Sequence, residues 1–198
     1  MIKTLIFDLG KVIVPFEIER LQKLADFCDF TAAEIRPKLV SSDDITLYET
    51  GRIDSAGFFT SLKSLLGLRI NFEEFASIWN GIFDLNSLIP EEFIAEVKHN
   101  YRLLVLSDTN ELHFEFIKTN FPTMSLFDKH VLSYEIGYMK PSETAFRIAV
   151  EHSNCTASEC LFIDDKQLNV DGAIAYGINA VCFSHFETLV GDLRKWNI

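Results

Sequence analysis

The pattern of apolar and polar positions changes character twice along the chain. Ile2 to Phe7 is a short apolar run rich in β-formers that stops at Asp8, the pattern of a strand buried on both faces. From Glu17 to about Phe83 the apolar residues recur at helical spacing and no convincing strand intervenes. Ile18, Leu21, Leu24, Ala25 and Cys28 mark the first stripe. Thr31 with Glu34 is a capping box opening a second helix, and Pro37 either suits its early part or perturbs it. Asp43 to Thr50 forms a third, closed by Gly51. Asp54 opens the next, which runs through Phe58, Leu62 and Leu66 to Gly67, and Asn71 caps a last one carrying Phe72, Phe75, Ile78 and Trp79.

Past Pro90 helix and strand patterns alternate. Glu91 to His99 is helical and Arg102 to Leu106 is a strand, broken by Ser107-Asp108-Thr109-Asn110, which caps a helix through Phe114 and Ile117. His130 to Ser133 is a weaker strand, Pro141 starts a helix through Phe146 and Val150, and Cys160 to Ile163 is a third apolar strand ending in Asp164-Asp165. A helix around Val170 to Tyr176 stops at Gly177, and Ala180 to Phe183 is the final strand. Such alternation predicts an α/β fold with a doubly wound parallel sheet. The expected division is a core of residues 1–15 and 86–198 with an all-helical insertion over 16–85.

Composition narrows the functions open to this fold. At 198 residues with 48% apolar side chains and 18 Phe, a sizeable core can form. The net charge of −11 opposes nucleic acid and anionic membranes, so an anionic ligand requires a local cluster of cations. Cys28, Cys155, Cys160 and Cys182 show no CxxC pair and no zinc spacing; buried free thiols in a reducing compartment are expected. No signal peptide and no membrane-spanning stretch is visible, which predicts a cytoplasmic protein.

Three strands end in polar residues: Asp8, Ser107-Asp108 and Asp164-Asp165. In a parallel sheet these tips share one edge, where ligands bind. Gly137-Tyr138-Met139-Lys140-Pro141 adds a cation before a proline that can open a helix. The set suits phosphoryl transfer through an aspartyl-phosphate. Asp8 and Asp164 supply hard oxygen ligands for a Mg²⁺ that screens anion from anion. Lys140 holds phosphate oxygens, and Ser107 and Asp108 offer hydroxyl and backbone donors at a helix N-terminus.

The chain resembles haloacid dehalogenase-like (HAD) superfamily hydrolases along essentially its whole length. IFDLGKVIV is similar to the family's first motif, LLVLSDTN to the second, GYMKP to the third and LFIDDKQLNVDGA to the fourth. The strings also resemble those of a subgroup that includes small sugar-phosphate phosphatases. The resemblance implies a Rossmann-like core with an inserted all-helical cap serving as a lid. It implies Asp8 as nucleophile and metal ligand, a metal contact from the Gly10 carbonyl, Ser107 and the Asp108 amide on the phosphate, and Lys140 bridging nucleophile and phosphate. Asp164 would be the second metal carboxylate, Asp165 would lie in or next to the metal shell, and Asn169 would orient Lys140 or its surroundings. Asp165 and Asn169 equally suit helix capping.

Gly10 departs from the family pattern, in which a second Asp acts as general acid. A cap residue such as Glu49, a water, or a good leaving group can take that role, although Glu49 also suits surface capping. Asp108, where relatives often carry Asn, adds negative charge. The expected activity is a Mg²⁺-dependent phosphatase acting on a small phosphorylated metabolite, as a monomer or small homo-oligomer. The competing readings are a metal-independent hydrolytic dehalogenase of the same fold and a catalytically weak phospho-ligand-binding protein. A receiver-type signalling module fits poorly, because its acid pair comes on the first strand.

Overall fold

The computed structural model describes residues 1–198. The chain forms β1 (Thr4–Phe7), a 3-10 segment (Ile18–Phe27), α1 (Ala32–Ser41), α2 (Asp44–Glu49), α3 (Ser55–Leu66), α4 (Phe72–Asn80) and α5 (Glu91–Lys98). It continues with β2 (Arg102–Ser107), α6 (Glu111–Asn120), β3 (Lys129–Leu132), α7 (Ser133–Ile136) and α8 (Glu143–Ser153). β4 (Cys160–Asp164), α9 (Gln167–Tyr176), β5 (Asn179–Cys182) and α10 (Phe186–Leu193) complete it. No helix is long and apolar enough to cross a membrane.

The five strands make one parallel sheet in the order β3-β2-β1-β4-β5. Their side chains alternate between two buried faces, as the period of two requires. Leu5, Phe7, Leu103, Val105, Leu161 and Ile163 enter the larger cluster with α5, α6 and α10. Ile6, Leu104, Leu106, Cys160 and Phe162 enter the smaller one with Phe146, Ala149 and Ala173 of α8 and α9. Helices on both faces make the sheet doubly wound, which explains why its strands read as unbroken apolar runs.

The helices between β1 and α5 bury Leu21, Leu24, Ile35, Tyr48, Phe58, Phe75 and Trp79 against the larger cluster. The expected capping box forms at Thr31, whose N–H donates to Glu34 Oε2 at 2.8 Å, and Asn71, expected as a cap, also builds one, exchanging bonds of 2.9 Å with Glu74. Three readings change. The stripe that opens at Ile18, Leu21 and Leu24 forms a 3-10 helix over Ile18–Phe27 instead of an α-helix, with Cys28 beyond its end as the C-cap; the spacing of three between its first members suits three residues per turn. Pro141 does not start α8, because Ser142 is its N-cap and accepts the Ala145 N–H. The four cysteines are free, but only Cys28 and Cys160 are buried, whereas Cys182 lies exposed on the edge strand.

The turn after α2 presses on the sheet domain. Gly51 has φ +65, and a Cβ there would lie 2.0 Å from the Tyr134 carbonyl oxygen in α7. Gly67, with φ +64, has nothing within 4 Å of that position. Gly67→Ala should therefore lose only the left-handed penalty of about 1 kcal/mol, whereas Gly51→Ala should lose at least about 3 kcal/mol in urea unfolding. Equal losses would show that the Gly51 turn does not press on α7.

Candidate active site

Register gathers the strand tips. Phe7 pairs with Val105 on one side and Ile163 on the other, and the Asp8 N–H donates to the Ile163 carbonyl at 2.8 Å. Asp8, one residue past β1, thus stands beside Asp164 at the end of β4, with Ser107 at the end of β2. Lys140 arrives from the turn between α7 and α8. Its Nζ lies 2.7 Å from Asp8 Oδ1 and 2.7 Å from Asp164 Oδ2, and it donates to the Leu106 carbonyl at 3.1 Å. All three charged side chains are buried. Asn169, in the first turn of α9, donates to both Asp164 oxygens at 3.1 and 3.0 Å, and the Lys166 N–H reaches Oδ1 at 2.8 Å. Asn169 thus acts on Lys140's partner and makes no bond to Lys140 itself.

Burial sets the electrostatics. It pushes Asp8 up to about 6; Lys140 pulls against this and the Asp164 charge adds to it. Burial also opposes the Lys140 charge, but Asp8, Asp164 and Asp108 outweigh it and hold the ammonium above the ordinary lysine range. Asp108 is raised by burial, and its Oδ1 accepts the Lys140 N–H at 2.9 Å. Its side chain therefore fixes the lysine turn. Ser107 ends β2 and Asp108 follows it in the strand-to-helix loop, both ahead of α6, whose N-cap is Asn110, so neither lies in the first helical turn.

Carboxylate oxygens of Asp8, Asp164 and Asp165 lie within 4.8 Å of one another. Asp165 is raised by burial and then by Asp164, and its Oδ1 is buried without a hydrogen-bond partner. Three convergent carboxylates, one carrying an orphaned oxygen, fit a hard divalent cation such as Mg²⁺.

Two small cavities meet here. A charged one of about 100 Å³ is lined by Asp8, Gly10, Lys11, Phe16, Asp108, Lys140, Asp165 and Lys166. A second, of about 110 Å³, shares Gly10, Phe16 and Asp108 with it. Ser107, Thr109, Glu49 and His113 join apolar side chains such as Leu9, Ile82 and Phe83 in its wall. Glu49, at the end of α2, therefore faces the cavity and is not a surface cap. Burial pushes it up to about 7, with Asp108 adding and Lys166 opposing. His113 is buried and driven down to about 4 by desolvation, so it stays neutral. Its ring nitrogens meet Asn110 Nδ2 at 3.0 Å and the Trp79 carbonyl at 3.1 Å. Lys11, Lys166 and Phe16 are wall residues that motif reading passes over. The one local signal was a lysine directly after the Asp164-Asp165 pair.

A doubly wound parallel sheet with a lysine-bridged pair of carboxylates at its C-terminal edge puts the charged cluster where Rossmann-like folds bind their ligands. The haloacid dehalogenase-like hydrolase family model matches residues 2–177, and the chain belongs to this family and is a hydrolase. Relatives place it with phosphatases. It is 29% identical over 179 residues to a D-ribitol-5-phosphate phosphatase of Bacteroides thetaiotaomicron, covering 86% of each chain. A HAD family enzyme from the same organism, solved with magnesium and inorganic phosphate, superposes with a TM-score of 0.83 at 25% identity, over 93% of this chain and 96% of that one. A HAD-like hydrolase of Porphyromonas gingivalis gives 0.84 at 26% identity, over 99% and 98%.

The position of Glu49 carries a pH signature. Below about pH 4.5 its carboxyl is neutral folded and unfolded; between about 4.5 and 7 it ionises only on unfolding, and above 7 the full destabilisation applies. Glu49→Gln removes this term. Its Tm should match wild type near pH 4.5 and exceed it by about 5 °C at pH 8. A Tm difference that does not change with pH would contradict the buried setting of Glu49.

Proposed function

We propose that this chain is a Mg²⁺-dependent phosphatase that hydrolyses a small phosphorylated metabolite, a sugar or polyol phosphate, through an aspartyl-phosphate. The observation that carries the reading is Lys140 Nζ held at 2.7 Å from both Asp8 and Asp164 beside three convergent carboxylates. Acids outnumber cations there, so a phosphate dianion needs added positive charge. Asp8, Asp164, Asp165 and the Gly10 carbonyl would hold Mg²⁺, which would supply that charge and polarise the phosphoryl oxygens. The magnesium and phosphate held by the related HAD enzyme support the same reading.

Asp8 attacks phosphorus, the bond from phosphorus to the leaving oxygen breaks, and the oxygen takes a proton from Glu49. Water then attacks the phosphorus of the aspartyl-phosphate and gives a proton to the Glu49 carboxylate. The Asp8–phosphorus bond breaks, which restores the Asp8 carboxylate and releases inorganic phosphate. Lys140 keeps Asp8 ionised and, with Ser107 and the Asp108 amide, balances charge on the phosphoryl oxygens. A protonatable carboxyl in the cavity answers the missing acid at Gly10, so turnover is favoured over passive binding. Halide displacement from carbon would not need three convergent carboxylates, and the orphaned Asp165 oxygen weighs for the phosphatase. Residues 16–85 would act as a lid over the core of 1–15 and 86–198, excluding water during transfer.

Wild-type protein with Mg²⁺ should release phosphate from at least one member of a panel of sugar and polyol phosphates. Asp8→Asn should lose about 10³-fold or more while keeping its fold, and a chelator should abolish release until Mg²⁺ is restored. Release that survives either treatment would overturn the mechanism.

A further inference from the structure

We infer that Phe16 is the specificity-determining residue of this site: its ring fills the space over Gly10 and closes the adjoining chamber to the size of a short-chain leaving alcohol. This rests on the phosphatase reading and goes beyond it. A Cβ built at Gly10 would have Phe16 Cε1, Cδ1 and Cζ as its nearest neighbours, at 2.7, 3.3 and 3.8 Å. One ring therefore takes up the volume that an acidic side chain at position 10 would need. The glycine is thus half of a matched pair with Phe16.

The ring also lines both cavities, the charged one that receives the phosphoryl group and the one of mixed apolar and polar lining beyond it. Its position is held from several sides. Phe16 and Phe83 form an antiparallel bridge, and their rings meet edge to face with centroids 6.3 Å apart at 73°. On either side of it, Glu17 N–H donates to Ile82 O at 2.9 Å and Asp84 N–H to Pro15 O at 3.0 Å. Lys11 Nζ stands 5.2 Å from the ring centroid. A ring fixed in this way is a wall, which sets a size limit that a loose side chain could not.

The chamber behind it holds about 110 Å³, well below the roughly 300–1,000 Å³ of pockets that take drug-sized ligands. By its volume it suits a short-chain alcohol better than a nucleoside. Leu9, Ile82 and Phe83 give it an apolar side, and Glu49, Asp108 and Thr109 a polar one. The leaving group that fits is a short polyol or hydroxyalkyl chain with one hydroxyl toward Glu49 and carbon toward the phenylalanines.

The test compares kcat/KM for a three-carbon polyol monophosphate, a five-carbon one and a purine nucleoside 5′-monophosphate, in wild type, Phe16→Ala and Phe16→Leu. Wild type should favour the two short esters. Phe16→Ala should shift the ratio of nucleoside to three-carbon ester by about tenfold or more toward the nucleoside, with Phe16→Leu between them. Phe16→Leu keeps an apolar contact with Phe83 and gives the same readout if the alanine variant does not fold. An unchanged ratio in a folded variant, or a wild type that hydrolyses the nucleoside ester as well as the short ones, overturns the inference while leaving the phosphatase reading intact. Absence of phosphate release from every ester would remove that reading and the size selection with it. Independently of turnover, the Tm of Gly10→Asp should recover when combined with Phe16→Ala; additive losses in the double variant would refute the matched pair.

Discussion

Burying two carboxylates side by side at the end of a parallel sheet is possible only if a cation is buried with them, and Lys140 supplies it. Asp164 is fully enclosed and Asp8 nearly so, and ionised groups in such surroundings are expensive unless paired and hydrogen-bonded. The fold commits several elements to this arrangement. Asp108, from the loop after β2, holds the Lys140 N–H, the Leu106 carbonyl accepts a hydrogen bond from its ammonium, and Asn169 and the Lys166 N–H occupy the free lone pairs of Asp164. Asp108, a departure from the family pattern, thereby gains a structural explanation: its carboxylate serves the lysine turn.

The helical segment completes the site by docking on the same edge. Tyr48 is buried, stacks on Phe58 with ring centroids 4.4 Å apart, and accepts the Leu112 N–H of α6 at 3.0 Å. Its hydroxyl also meets Ser55 Oγ at 2.7 Å, and that serine donates to Glu111. With Gly51 set against Tyr134, these contacts fix the end of α2 and carry Glu49 into the cavity. The carboxyl that the proposed mechanism uses in place of an acid at Gly10 thus comes from a different segment, and the Phe16 ring lies against Gly10 itself.

Much of the architecture was legible because burial leaves a periodic trace. Strands enclosed on both faces must be apolar throughout, and helix ends need caps, so the alternation past Pro90, the box at Thr31, the cap at Asn71 and the stops at Gly67 and Gly177 all stood in the chain. Ile18–Phe27 was misread as an α-helix because a stripe with a spacing of three fits both helical forms over a few turns. Pro141 falls two residues ahead of α8 because Ser142 takes the N-cap. Cys182 is exposed since β5 closes the sheet edge, and strand order is not written in local pattern.

By itself, the sequence determined the sheet, the order of its strands along the chain and the acidic residues at their tips, because each follows from local periodicity and abrupt polarity. The tertiary structure decided which of those residues meet. The parallel register set Asp8 beside Asp164, chain crossovers delivered Lys140 between them, helix packing aimed Glu49 into one cavity, and the bridge to Phe83 set the Phe16 ring between the two. Such meetings depend on contacts between residues far apart in the chain, whose energies are set by shared burial and carry no signature at either end.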